Sequence, residues 1–169
     1  MGGGSADAAA ALRLLAKLNH LSIDDPRVMD AAKATGADVP VCVESRPRIM
    51  RGIGERLDAP LNLPRLFAVL VNPHKTSATP EVFAKIGLAR GEPSRLPTHP
   101  AITAAMTEEA LLSALAEGRN DMEGAAITLQ PAINDVRRAL ATQPACRLVR
   151  MSGSGATVFG LFPSCRAAA

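Results

Sequence analysis

Gly2-Gly3-Gly4-Ser5-Ala6-Asp7 opens the chain and runs directly into an Ala/Leu-rich segment. Three successive glycines offer nothing to a core and lose the most backbone entropy on ordering, so they point to a backbone that approaches a ligand closely. The chemistry that fits is phosphate binding. Successive N–H groups form a concave anion site, and the helix that follows adds its free first-turn donors and the positive end of its dipole. Ser5 stands at the junction, where a hydroxyl can cap the helix or reach a phosphate or a metal ion. A flexible, linker-like stretch at residues 1–4 is the alternative. No Gly-Lys-Ser/Thr follows the glycines, which argues against a P-loop NTPase.

Arg46, Arg48, Arg51 and Arg56 crowd one short segment and could attract an anionic small molecule, although a solvated face is the commoner role of such a cluster. Nucleic acid is disfavoured as a partner, because stacking needs aromatics among the basic groups and the chain has four Phe, no Tyr and no Trp. The net charge of +3 is mild. Cys42, Cys146 and Cys165 lack metal-type spacing and make an odd count, favouring reduced thiols in a cytoplasm. No apolar run approaches the roughly 20 residues of a membrane span, and no signal peptide is evident. No pattern specifies an oligomeric state.

The elements that must position these residues follow from spacing. With 169 residues and 47% hydrophobic content, the chain can build one good core or two small ones. After Ser5, Leu12, Leu15, Ala16 and Asn19 follow helical spacing, with Arg13, Lys17 and His20 on another face. Asp25-Pro26 reads as a cap and first helical residue, and Gly36 as a left-handed stop. Val39–Val43 is short, β-rich and apolar, so a strand is expected there, with Asp38 in the loop before it. A second strand-like piece, residues 47–53, ends in the turn Arg51-Gly52-Ile53-Gly54. Pro60 and Pro64 mark a boundary between a domain over residues 1–64 and another over 65–169.

In the second domain, Leu66–Val71 is a strand candidate, Thr79–Ile86 a helix stopped by Gly87, and residues 90–104 are irregular. A helix opens at Thr107-Glu108-Glu109 with Leu111, Leu112 and Leu115 inward, and another at Pro131 with Ile133, Val136 and Leu140. Arg147–Met151 and Ala156–Phe162 form a hairpin around Ser152-Gly153-Ser154-Gly155. The sum is an α+β fold with helices on one side of an antiparallel sheet.

Several stretches together resemble the GHMP kinases, the family of galactokinase and of homoserine, mevalonate and phosphomevalonate kinases. Gly2-Gly3-Gly4-Ser5-Ala6-Asp7-Ala8-Ala9 is similar to the second half of their phosphate loop, and Met151-Ser152-Gly153-Ser154-Gly155-Ala156-Thr157 to their C-terminal glycine motif. Between them, Gly36-Ala37-Asp38-Val39-Pro40, Arg51-Gly52-Ile53-Gly54-Glu55, residues 73–83 and Asn120-Asp121-Met122-Glu123 resemble the members of the non-mevalonate isoprenoid route that act on a cytidine-diphosphate-linked polyol. The resemblance implies a two-domain GHMP fold with a ferredoxin-like C-terminal domain, and ATP- and Mg2+-dependent phosphorylation of that polyol at its 2-hydroxyl.

By the same resemblance, Asp38 matches the catalytic aspartate that orients or deprotonates the attacking hydroxyl, a role suited to a carboxylate. A turn or cap role is the ordinary reading of a lone loop Asp. Gly2, Gly3, Gly4 and Ser5 match the ATP phosphate cradle, with Ser5 also a magnesium contact. Gly153, Ser154 and Gly155 close the site, and Thr79 and Phe83 meet the nucleotide end of the substrate, Phe83 by stacking on cytosine. A core role for Phe83, four residues from Thr79, is the alternative, and His74 is a polar loop residue.

The family carries roughly a hundred residues ahead of the glycine loop, an ordinary domain-sized share, including a catalytic lysine. It also continues past Ala169 into a helix and a strand. An incomplete N-terminal domain and an inactive 169-residue chain are therefore expected. Rival readings are a homoserine- or mevalonate-type kinase, or a non-catalytic remnant or partner subunit.

Overall fold

The computed structural model describes residues 3–54, 56–87 and 96–169. Contacts divide them into two compact units, one reaching to Leu63 and including Thr103–Ala105, the other formed by the remainder from Pro64 onward.

The first unit is built on three helices, α1 (Gly3–Leu18), α2 (Pro26–Thr35) and α3 (Val39–Glu44), followed by a short hairpin of β1 (Met50–Arg51) and β2 (Arg56–Leu57). Ala9, Ala16, Val28, Ala32, Val39 and Val43 form its buried core. On α1 the inward stripe is Ala9, Leu12 and Ala16, not the expected Leu12, Leu15, Ala16 and Asn19: Leu15 is 54% exposed, and Leu14 and Leu18 also face outward. Small alanines let the neighbouring helices approach the α1 backbone, so the leucines are left on the far side. Asp25 caps α2 by accepting from the Arg27 N–H at 2.9 Å, with Pro26 in the first turn. Gly36 ends α2 with φ 173°, extended rather than left-handed backbone.

The expected strand at residues 39–43 is α3. Pro40 sits in its first turn, where the missing N–H costs nothing. Val39 and Val43, one helical turn apart, are 2% and 1% exposed. Burial of that i, i+4 face against α1 and α2 overrides the local β preference of valine.

The second unit carries a three-stranded antiparallel sheet in the order β3 (Phe67–Val71), β5 (Val158–Phe162), β4 (Leu148–Met151), with Phe67 opposite Phe162 and Met151 opposite Val158. Helices α4 (Thr79–Ile86), α6 (Glu123–Leu129) and α7 (Ala132–Ala141) supply Val82, Ala126, Ile133 and Leu140 to a core shared with Met151, Ala156 and Val158. Gly87 stops α4 in the left-handed region, φ 75°. Helix α5 (Glu108–Glu117) is capped by Thr107 and tied to the sheet end by Arg147, whose Nη1 lies 2.7 Å from Glu108 Oε1. Leu111 is its buried residue, while Leu112 and Leu115 are half-buried. Helices α6 and α8 (Cys165–Ala168) are not foreshadowed by the spacing of apolar residues; seven and four residues are too short to show a period. Part of the irregular stretch 90–104 lies outside the described residues.

Candidate phosphoryl-transfer site

Gly3, Gly4 and Ser5 are the first three residues of α1, so the glycines there form a helical turn rather than a loop; Gly2 lies outside the described residues. Ser5 is inside the helix and half-buried, and is not its cap. The arrangement still suits an anion. The first turn of a helix leaves its N–H groups without intrahelical partners, and no acidic side chain stands in this one. A methyl group placed on Gly3 or Gly4 would meet nothing within 4 Å, so the backbone lies open.

Asp38 occupies the N-cap position of α3, with φ −91° and ψ −6°. Its side chain makes no capping hydrogen bond and the residue is exposed, so the carboxylate is not consumed in ending or starting a helix. Asp38 thus stands in a turn ahead of the helix with its carboxylate uncommitted to a cap bond. The helix carrying it is held at both ends. Toward its C-terminus, Arg13 on α1 donates through Nη1 to the Cys42 carbonyl at 2.8 Å, and Arg48 pairs with Glu44 while donating to the Asp58 carbonyl at 2.8 Å. At its N-terminus, Gly54 in the β1–β2 turn, φ 110°, lies so close to Ala37 that a Cβ there would stand 2.8 Å from the Ala37 carbonyl oxygen. Arg51 is engaged by Asp58, with Nη2 to Oδ2 at 2.9 Å. Arg48 and Arg51 are thus spent on internal carboxylates rather than presented to an anionic ligand.

In the second unit the glycine turn 152–155 is clamped from two directions. Ser77 Oγ donates to the Ser154 carbonyl at 2.6 Å, and the Thr79 and Ser154 hydroxyls are 2.7 Å apart. Asn120 Nδ2 donates to the Met151 and Gly153 carbonyls at 3.0 and 2.8 Å, while Glu123 accepts from the Met151 N–H at 3.0 Å. Gly155, φ 92°, lies in the region that favours glycine, and a Cβ there would crowd Met151 Sδ at 3.0 Å and Ile133 Cδ1 at 3.2 Å. Gly153, φ 55°, has nothing within 4 Å of its Cβ position and leaves open backbone. Thr79, Gly153, Ser154 and Gly155 are therefore one cluster.

Phe83, one turn along α4 from Thr79, is 56% exposed, whereas its neighbour Val82 is fully buried; the core role for Phe83 is overturned. Ser77 and Asn120 are the residues that sequence reasoning gave no role, because an isolated Ser or Asn beside a turn carries no spacing signal. A cavity of about 620 Å3 in this unit lies between Val69, Val71, Val136, Leu140 and Phe162, away from every expected site residue.

Residues 1–46 match the family model described as the GHMP kinases N terminal domain, and residues 99–169 match the one described as GHMP kinases C terminal. The chain belongs to the GHMP kinases. Among curated relatives, a 4-diphosphocytidyl-2-C-methyl-D-erythritol kinase of Xanthobacter autotrophicus is 54% identical over 172 residues, covering 100% of this chain and 59% of the relative. The protein of the same name from Methylorubrum extorquens (strain PA1) is 52% identical, over 96% of this chain and 56% of its own length. A crystal structure of a 4-(cytidine 5'-diphospho)-2C-methyl-D-erythritol kinase superposes with a TM-score of 0.72 at 36% identity, over 98% of this chain and 58% of that one. This GHMP kinase chain thus spans between 56% and 59% of the length of these relatives.

Among the described residues no group of three or more His, Cys, Asp or Glu side chains is placed to hold a metal ion. No described helix is long and apolar enough to cross a membrane.

Proposed function

We propose that the protein carrying this chain phosphorylates the 2-hydroxyl of 4-diphosphocytidyl-2-C-methyl-D-erythritol with ATP, in the cytoplasm, as a step of non-mevalonate isoprenoid synthesis. The observation that carries the reading is the exposed, uncapped Asp38 in a chain 52–54% identical to kinases of that name. ATP with Mg2+, when bound, supplies the transferable phosphoryl group and neutralises its charge.

This chain's residues do the positioning. The open first-turn N–H groups at Gly3, Gly4 and Ser5 would hold phosphate oxygens, and the Ser5 hydroxyl would serve as a contact for the metal. Gly153 offers open backbone and Ser154 a hydroxyl for the nucleotide, with Gly155 shaping the turn that holds them, and Thr79 and Phe83 receive the cytidine end, Phe83 by stacking. Asp38 accepts a hydrogen bond from the acceptor hydroxyl and takes its proton as the new bond to phosphorus forms. General-base assistance of this kind is worth about 10²–10⁴-fold. Three free thiols, Cys42, Cys146 and Cys165, suit a reducing compartment.

The test is phosphoryl transfer from ATP by the full-length gene product, offered the cytidyl polyol, homoserine and mevalonate in parallel. Asp38→Asn is expected to lower kcat at least about 100-fold while nucleotide affinity stays within a few-fold. Turnover of that variant near wild type removes the base assignment, and preference for homoserine or mevalonate removes the substrate assignment.

A further inference from the structure

Asp38 is useful only if its carboxylate is held still, and its own helix does little to hold it. The side chain makes no cap bond, and the flanking peptide is the turn in which Val39 N–H bonds to the Gly36 carbonyl at 3.1 Å. What presses on that turn from outside is the backbone of Gly54. A Cβ at position 54 would lie 2.8 Å from the Ala37 carbonyl oxygen, 3.2 Å from the Ala37 carbonyl carbon and 3.1 Å from Met50 Cε. The methionine methyl can swing away; the peptide preceding Asp38 cannot move without moving Asp38.

The turn that carries Gly54 is itself braced. Gly54 N–H bonds to the Arg51 carbonyl at 3.1 Å, and Arg51 Nε lies 3.0 and 3.2 Å from the two Asp58 carboxylate oxygens across the β1–β2 ladder. Arg48 then joins Asp58 to Glu44 at the far end of α3. The hairpin therefore grips α3 at both ends, and the Gly54 end is the one next to the carboxylate.

We propose that Gly54 is a positioning residue for Asp38: its bare backbone seats the Ala37–Asp38 peptide and fixes the direction of the carboxylate toward the acceptor hydroxyl. The inference rests on the reading of Asp38 as the base. A misplacement of about 1 Å at a reacting group is enough to cost on the order of 100-fold in rate, so the seat matters more to turnover than to folding.

The experiment is a double-mutant cycle in the full-length protein, with CD and thermal melting as the check on folding. Gly54→Ala is expected to lower kcat tenfold or more, with the KM for ATP and for the cytidyl polyol within about threefold. Met50→Ala is expected within twofold of wild type, and Met50→Ala/Gly54→Ala no better than Gly54→Ala, because the Ala37 carbonyl remains. Gly87→Ala, strained at φ 75° but with open space around it, controls for backbone strain alone and is expected to leave kcat unchanged.

In the D38N background Gly54→Ala is expected to have no further effect, since the group it positions is gone. Should Gly54→Ala not fold, one glycine inserted after Gly54 lengthens this surface turn without adding a side chain, and the same loss of kcat is expected. Equal fold losses in the wild-type and D38N backgrounds, rescue by Met50→Ala, or a kcat within threefold of wild type overturns the proposal. D38N turnover near wild type overturns the base assignment instead, a separate result.

Discussion

The hydroxyls of Thr79 and Ser154 lie 2.7 Å apart, joining the first residue of α4 to the glycine turn between β4 and β5. By resemblance the first belongs to the substrate pocket and the second to the nucleotide cradle, yet in the structure they share one hydrogen bond. Ser77 fixes the same turn through the Ser154 carbonyl at 2.6 Å. The side chain of Ser154 can therefore exchange Thr79 for a ligand oxygen while its backbone stays in place.

That sharing predicts coupled binding. Ser154→Ala and Thr79→Val are each expected to raise KM for both ATP and the cytidyl polyol by about three- to tenfold, the worth of roughly one hydrogen bond. The double variant is expected to lose less than the product of the two. Steady-state kinetics on the four proteins check it, and strictly multiplicative losses would show that the two hydroxyls act independently.

Phe83 offers a cleaner separation of binding from folding. Its 56% exposure means that less than half of its surface leaves water on folding, unlike the fully buried Val82 beside it. Phe83→Ala is expected to lower the melting temperature less than truncation of a core residue such as Val82 would, while raising the KM for the cytidyl polyol severalfold through lost stacking. A large drop in melting temperature with KM unchanged contradicts the stacking role.

Asn120 is the opposite case, a residue whose loss should be felt in stability. Its amide donates to two carbonyls of the glycine turn and its oxygen accepts from the Met122 N–H at 3.0 Å. Asn120→Ala leaves these groups without partners in a partly buried place and is expected to cost about 1–3 kcal/mol in denaturant unfolding. A cost under about 0.5 kcal/mol would mean that water replaces the side chain without penalty.

Asp25 sets a pH dependence. Hydrogen bonds from the Arg27 side chain and then its N–H hold the Asp25 carboxyl at about 2 instead of 3.8. Since the folded value is depressed, the contribution of this cap to α2 is fully present above pH 3.8 and is lost as pH falls through about 2. NMR titration of the Asp25 carboxyl is expected to give a midpoint near 2 in the wild type and a return toward the ordinary value in Arg27→Ala. A wild-type midpoint above 3.5 would show that the cap is not formed in solution.

Much of this was legible in residue order because its causes are local. Asp25-Pro26, Thr79-Pro80 with Gly87, and the Ser152–Gly155 turn between two apolar runs each contain the chemistry of their own start or stop. The α3 segment was not legible, since three valines in five residues favour a strand until neighbouring helices offer their i, i+4 face a place to bury. Leu15 misled for the same reason: spacing identifies an apolar face but not which of two faces a partner will cover.

The sequence by itself determined the kinds of group available, glycine backbone, a loop carboxylate at Asp38 and a hydroxyl-rich turn, because residue type and short-range spacing set what each can donate or accept. Tertiary structure alone decided which of them meet. It set Gly54 against Ala37, Thr79 against Ser154 and Asn120 against the Gly153 carbonyl, contacts between residues 17, 75 and 33 positions apart in the chain. Such pairings depend on how buried faces pack, and no local rule along the backbone encodes them.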